Sequence, residues 1–282
     1  MNPEENETIT NIDEVPMSYT TVWSFKTTKQ EAIQYKGRCI PEIPEFCLKR
    51  FSNEDDLVLD VFMGSGTTIT EAIRLKRNVI SIDPSLGGIK TTYGRLKKFK
   101  RPLTSFFEEQ SRADDPKVMM IRGDSRNIPL PNECIDFAFA HMPYWSVIGY
   151  TTAEEDNEFD LSRVWSLSKF NNEMEKVFRE VFRVLKKDSF IAILTGDVRQ
   201  GGWKVPLGVI NAVLLDKVGF EFFDHIIKVT DNAISMRRPK VIERALGENK
   251  SVTIHEYIIV GKKTTNKKRE FGIGFQWDEK DV

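Results

Sequence analysis

The feature that most restricts how this chain can fold is its alternation of short, unbroken apolar runs with segments whose apolar residues recur at helical spacing. Leu57-Val58-Leu59-Asp60-Val61-Phe62 is the first run, and after a small turn Ile69, Ala72, Ile73 and Leu75 share one helical face. Val79-Ile80-Ser81-Ile82-Asp83 repeats the run and ends in an acid. Val118 to Ile121, Cys134 to Ala140, Phe190 to Leu194, Phe220 to Lys228 and Ile254 to Val260 continue it. Ile43, Phe46, Cys47 and Phe51 are helically spaced, with Pro44 suited to a first turn. Met174 to Leu185, carrying Val177, Val181, Phe182 and Leu185 on one face, and Val205 to Val218 read as further helices. Strands apolar on both faces must be covered on both, which predicts an α/β fold: a mostly parallel sheet with helices on each side.

The alternation occupies nearly all of the 282 residues without an internal repeat. One domain is expected over 19–263, with a flexible acidic arm at 1–18 and a tail at 264–282. The arm carries Glu4, Glu5, Glu7, Asp13 and Glu14 and no basic residue, the opposite of a secretory signal. No apolar run reaches the ~20 residues that cross a bilayer, so a cytoplasmic setting without membrane contact is expected. Three cysteines without C-x-x-C spacing and three histidines leave little material for a disulfide framework or a metal centre. A net charge of −1 argues against indiscriminate nucleic-acid binding, yet the basic residues are clustered. Lys90 to Arg101 holds six of them and no acid; Arg237, Arg238, Lys240 and Arg244 form a second group, and Lys262 to Arg269 a third.

In an open α/β sheet, ligands bind beyond the carboxyl ends of the strands. The first candidate there is Asp60 through Thr68, whose Gly64-Ser65-Gly66-Thr67-Thr68 turn lets backbone approach a ligand closely. It lacks the lysine of a phosphate loop and the third glycine of the dinucleotide fingerprint, where Ile69 stands, so it suits a cofactor without pyrophosphate. Asp83 is placed to accept hydrogen bonds from ribose hydroxyls. A plain strand–turn–helix, with Asp83 capping the next helix, is the other reading that spacing leaves open. The second candidate is His141-Met142-Pro143-Tyr144-Trp145, where a buried strand runs into a rigid aromatic turn. A flat ring can stack on such a turn, but Pro143 can equally end a strand whose aromatics belong to the core.

The stretch from Asp56 to Ser85 (DLVLDVFMGSGTTITEAIRLKRNVISIDPS) resembles the S-adenosylmethionine-binding motif of the DNA amino-methyltransferases, which modify the exocyclic amine of cytosine or adenine. The resemblance continues along the chain. Lys29 to Ala32 and Gln34 through Pro44, with Lys36 and Arg38, look like the family's leading cofactor motif. Gly123-Asp124-Ser125 is similar to its adenine-contacting turn. His141 to Tyr144 stands where the catalytic tetrapeptide stands, Gly196-Asp197-Val198-Arg199 with Pro206-Leu207-Gly208 resembles a further segment, and His255 to Val260 looks like the closing strand. The resemblance implies a Rossmann-like class I methyltransferase fold with S-adenosylmethionine as cofactor. Asp60, Phe62, Gly64, Ser65, Gly66 and Thr67 would line its methionine and sugar, Asp83 would hold the ribose, and Asp124 with Ser125 the adenine. Tyr144 would stack on a base flipped from duplex DNA, and residue 141 with the following carbonyl would bind the target amine.

The tetrapeptide departs from a Ser, Asp or Asn followed by two prolines. His141 can accept a hydrogen bond through one neutral ring nitrogen, and Met142 keeps its carbonyl. A variant but active site, a degenerate cofactor- or DNA-binding subunit needing a partner, and a methyltransferase for RNA or a small molecule are the readings left. Trp145 after the tyrosine resembles the cytosine-modifying members and favours N4 of cytosine over N6 of adenine, unless it simply packs under the loop. Only 17 residues separate Asp124 from His141, so a DNA-contacting insert must lie elsewhere, at 86–116, 146–172 or 231–250. Trp145, Lys97, Lys98, Arg237, Arg238 and Lys240 are the candidate DNA contacts, the cations by phosphate neutralisation. The family setting implies restriction–modification or another defence system, with a cognate nuclease or a partner subunit.

Overall fold

Leu59 and Val61 face one side of a buried sheet and Val58 the other, and the same alternation separates Ala138 and Ala140 from Phe137 and Phe139. This two-sided burial makes these two runs central strands. The computed structural model describes residues 15–25, 37–98, 115–150, 158–230 and 239–264. In chain order these form β1 (Val22–Ser24), α1 (Glu42–Phe51), β2 (Leu57–Asp60), α2 (Thr67–Arg74), β3 (Asn78–Asp83), α3 (Leu86–Leu96), β4 (Val118–Arg122) and β5 (Ile135–His141). Then follow α4 (Leu167–Val184), β6 (Leu185–Thr195), β7 (Val198–Gln200), β8 (Trp203–Val205), α5 (Leu207–Val218), β9 (Glu221–Val229), α6 (Pro239–Gly247) and β10 (His255–Lys262).

The main sheet runs β1-β9-β10-β6-β5-β2-β3-β4, while β7 and β8 form a separate hairpin. Among the described strands of the main sheet, only β10 is antiparallel to its neighbours, β6 and β9. The expected mostly parallel sheet is therefore present, closed by one reversed strand. From β2 the chain steps outward through β3 to β4, then returns to lay β5 on the other flank of β2. The strand order thus reverses at β2/β5, and the carboxyl ends of these strands frame the crevice where ligands bind in such sheets.

Two helical layers complete the core. Phe170, Met174, Val177, Phe178, Val181 and Val184 form the buried stripe of α4, packed with Leu207, Leu214 and Leu215 of α5 against one face. Ile43, Cys47, Leu48 and Phe51 of α1 cover the other face with Ile69, Ala72 and Ile73 of α2. Each Val, Leu, Ile, Phe or Met among them contributes about 1.5–3 kcal/mol when fully buried. The helix expected from Met174 begins at Leu167, because Ser166 caps it by accepting from the Lys169 N–H (3.3 Å) and Phe170 extends the stripe. Leu185 starts β6 instead of ending α4.

Leu86–Leu96, the described first part of the 86–116 segment, is a helix of the domain itself. Thr92 donates to the Gly64 carbonyl (3.2 Å) and Arg95 to that of Ser65 (2.5 Å), bracing the glycine turn from below. Residues 99–114 and 231–238, which carry part of two expected inserts, lie outside the described residues, as does most of the 1–18 arm. No helix among the described residues is long and apolar enough to cross a membrane.

Candidate active site

The glycine turn is shaped by backbone that other residues adopt poorly. Gly64 and Gly66 have φ of 51° and 74°, and a Cβ on Gly66 would stand 2.4 Å from Thr92 Cγ2. The turn is tied to β3 twice: Met63 N–H donates to the Ile82 carbonyl (3.1 Å), and Gly64 N–H to Asp83 Oδ2 (2.7 Å). Asp83 Oδ1 accepts from Ser85 N–H (2.8 Å), and the cap of α3 is Ser85, whose hydroxyl accepts from Gly88 N–H (3.1 Å). Asp83 thus organises the turn and does not cap the helix.

Above this turn opens a cleft of about 780 Å³, counting its mouth, at the carboxyl edge of β2, β3 and β5. Of the residues singled out in the sequence, Arg38, Asp60, Phe62, Gly64, Ser65, Thr67, Asp83, Asp124, Ser125, His141 and Pro143 line it. Lys36 lies outside the described residues. Gly66 sits behind the wall, Met142 is buried with its N–H on the Leu194 carbonyl (2.9 Å), and Tyr144 stands just beyond Pro143. Cys39, Met63, Thr68 and Pro84, inside the stretches singled out in the sequence, line the cleft too; missed there was a wall made of Tyr150, Phe159, Asp160 and Leu161. That wall comes from the 146–172 segment, which the sequence suggested for DNA. No periodicity marks it, though its aromatics at the right distance after the tetrapeptide were a usable sign.

The cleft wall is rich in acids: Asp60, Asp83, Asp124 and Asp160 line it, with Arg38. Burial pushes Asp60 up to about 7, against hydrogen bonds from Thr68 and from Phe62 N–H (3.0 Å), with Asp83 adding to the rise. Asp124 is engaged by Arg126, whose Nε lies 2.9 Å from both carboxylate oxygens and whose Nη1 reaches Glu173 (2.5 Å). Ser125 donates to the Val61 carbonyl (2.6 Å). Thr67 Oγ1 is buried with no hydrogen-bond partner among the described residues. No cluster of described His, Cys, Asp or Glu side chains could hold a metal ion.

At the end of β5, His141 Nε2 lies 3.0 Å from the Tyr144 hydroxyl, which donates to Glu256 of β10. Trp145, at φ 49°, is 8% exposed and packed in the core beneath the loop, so the fold gives it to packing and not to a DNA surface. Lys97 and Lys98 are exposed at the end of α3, Lys97 over the Tyr93 ring at 4.6 Å. Arg237 and Arg238 lie outside the described residues, and Lys240 falls in α6.

Residues 3–92 and 135–281, most of the chain, match the model of a family described as DNA methylase. The chain belongs to the DNA methylase family. Among curated proteins it is 47% identical over 65 residues to the Type II methyltransferase M.MjaII of Methanocaldococcus jannaschii, a stretch covering 23% of this chain and 12% of that protein. It is 37% identical over 81 residues to the Type II methyltransferase M2.LlaDCHI of Lactococcus lactis, covering 27% and 30%. The chain thus aligns with well under half the length of these relatives. Among solved structures, a SAM-dependent methyltransferase from Methanosarcina mazei superposes with a TM-score of 0.50 at 15% identity, covering 78% of this chain and 98% of that one. The cyclase SpnF gives 0.52 at 14%, covering 83% and 86%. These likenesses place the sheet among Rossmann-like methyltransferase folds, and a member of this family takes its methyl group from S-adenosylmethionine.

The wall fits that cofactor. S-adenosylmethionine carries a sulfonium and an ammonium and no phosphate, which suits a cleft lined by four aspartates and one arginine. The unpartnered Thr67 hydroxyl supplies a polar contact awaiting a ligand.

Proposed function

We propose that the protein transfers a methyl group from S-adenosylmethionine to the exocyclic amine of a base flipped out of duplex DNA, N4 of cytosine in preference to N6 of adenine. The observation that carries this reading is the single cleft shared by the glycine turn and the tetrapeptide. Gly64, Ser65 and Asp83 line it from one side, and His141 and Pro143 from the other. A donor held on the turn and an amine held at His141 therefore meet in one space, the arrangement that positional catalysis requires.

The residues of the chain have separate tasks in this reading. The acidic wall holds the cation, with Asp83 toward the ribose and Thr67 toward the methionine part. S-adenosylmethionine, when bound, supplies the electrophilic methyl carbon. Asp124 and Ser125 border the adenine, Asp124 through the side not occupied by Arg126. The neutral ring of His141 and the carbonyl of Met142 accept the two N–H bonds of the target amine, turning its lone pair toward the methyl group. The ring of Tyr144 faces the flipped base. Lys97, Lys98, Arg237, Arg238 and Lys240 neutralise phosphates of the duplex. The setting is a cytoplasmic restriction–modification system, in which a cognate nuclease or partner subunit shares the target. The Type II methyltransferases among the relatives support that setting.

The test is to incubate the protein with S-adenosylmethionine and unmethylated duplex DNA, digest to nucleosides and identify methylated bases by mass spectrometry. N4-methylcytosine is the expected product. Confirmed cofactor binding with no methylated base in DNA, and a methylated RNA or small molecule in parallel reactions, would overturn the reading.

A further inference from the structure

Two buried charges stand beside the tetrapeptide without a role in the scheme above. Glu256 and Lys228 are direct cross-strand partners on β10 and β9, their side chains 23% and 8% exposed. Lys228 Nζ lies 2.8 Å from Glu256 Oε2 and 2.9 Å from Thr230 Oγ1. The other carboxylate oxygen, Oε1, accepts the Tyr144 hydroxyl, and that hydroxyl is the partner of His141 Nε2. Gly196, just past β6, makes the meeting possible: a Cβ there would stand 3.2 Å from Tyr144 Cε1 and 3.4 Å from Glu256 Cγ.

The protons of this chain of groups can be placed by counting donors. Lys228 has only donors, so Oε2 must accept from it. Burial alone would raise the Glu256 carboxyl, but the charge and hydrogen bond of Lys228, the charge His141 carries when protonated, and the Tyr144 hydrogen bond outweigh burial and hold it below its ordinary value. An ionised carboxylate only accepts, so the single Tyr144 proton points to Oε1. The Tyr144 oxygen then offers His141 only lone pairs, which puts the imidazole proton on Nε2. Desolvation keeps the ring neutral, so its lone pair resides on Nδ1. No described residue hydrogen-bonds that nitrogen.

We propose that Glu256, backed by Lys228, is a positioning residue that fixes the tautomer of His141, so that Nδ1 is the acceptor for the target amine. The use of Nδ1 rests on the methyl-transfer reading; the control of the tautomer does not. In the opposite tautomer the ring's one lone pair, on Nε2, is occupied by Tyr144, and the amine finds an N–H where it needs an acceptor.

The deciding variant is Glu256→Gln. Lys228 still has only donors, so the Gln oxygen faces it and the amide NH₂ turns to the Tyr144 oxygen. The Tyr144 proton must then point to His141 Nε2, and the imidazole proton moves to Nδ1. Nitrogen-15 correlation spectra of the three imidazoles read this directly, with His141 assigned by its loss in His141→Asn. The expected result is an Nε2–H ring in the unsubstituted protein and an Nδ1–H ring in Glu256→Gln. DNA methylation kcat should fall at least about 10²-fold with S-adenosylmethionine affinity unchanged. Lys228→Met/Glu256→Gln frees the amide to offer Tyr144 its oxygen, and should restore the Nε2–H ring and part of kcat. Tyr144→Phe breaks the chain at its middle and should give an averaged tautomer signal, which keeps the test open if Glu256→Gln does not fold. An unchanged His141 spectrum in Glu256→Gln or Tyr144→Phe would overturn the proposal, as would a switched tautomer with full turnover. A tautomer switch in a protein that methylates no DNA would uphold the control by Glu256 and sink only the methyl-transfer reading.

Discussion

A buried hydroxyl without a partner carries a desolvation cost of about 1–3 kcal/mol, and Thr67 Oγ1 carries it at the mouth of α2. Thr67→Val keeps the shape and removes the cost. It should stabilise the ligand-free protein by about 1 kcal/mol while weakening S-adenosylmethionine binding about tenfold, measured by thermal unfolding and calorimetry on the same samples. Unchanged affinity would mean that the hydroxyl faces no part of the cofactor. At this scale the sequence was informative about residue type and poor about partners. Asp83 was legible as an acid at a strand end. That its oxygens hold Gly64 N–H and Ser85 N–H depends on how two loops cross, which spacing does not encode. Glu256 read only as part of a strand; its meeting with Tyr144 needs β10 to lie beside β6, a contact between residues more than a hundred positions apart.

The strands most legible in the sequence are those buried on both faces, such as β2 and β5, because continuous apolar runs have few other places to go. β1 escaped notice: it has three residues, and Trp23 is its one buried side chain. The β7–β8 hairpin did carry a signal, Gly201-Gly202 between Val198-Arg199-Gln200 and Trp203-Lys204-Val205. The hairpin gives physical content to the Gly196–Arg199 and Pro206–Gly208 resemblance. Asp197 accepts from Gly208 N–H (3.2 Å) at the start of α5 and pairs with Lys204 (3.2 Å), closing the excursion between β6 and α5. Gly208 is also where α5 meets β10, since a Cβ would stand 2.6 Å from Tyr257 Cδ2. Alanine is worth about 1 kcal/mol more than glycine within a helix, but overpacking against a ring held in a central strand costs about 1–3 kcal/mol. At a net loss of about 1 kcal/mol, Gly208→Ala should therefore lower the thermal midpoint by about 2–4 °C. A raised midpoint would show that Tyr257 yields and propensity wins.

Across the whole molecule, charge burial sets an unusual dependence of stability on pH. Burial pushes both Asp60 and Glu71 up to about 7, while in the unfolded chain they titrate at ordinary carboxyl values. Between about pH 4 and 7 the folded protein holds protons that the unfolded chain has released, so these groups make stability fall as pH rises. Other groups act in the opposite sense. Burial opposes but does not overcome the partners of Glu173, Glu175 and Glu256, and Arg183 holds Glu180 down. These four contribute stability above about pH 4.5 that is lost below it. Burial also keeps His141 and His225 below their ordinary value, so acidification through about pH 6.5 costs stability there. The raw curve is thus a composite, and a difference isolates Asp60. Asp60→Asn keeps an acceptor for Phe62 N–H and an amide for the Thr68 hydroxyl, but cannot ionise. Measured by urea unfolding from pH 5 to 8, the unsubstituted protein should lose on the order of 2 kcal/mol relative to the variant, most of it between pH 5 and 7, with the curves running parallel above that. Curves parallel from pH 5 upward would mean that the Asp60 carboxyl is already ionised at pH 5, and that water or the cleft's open mouth solvates it.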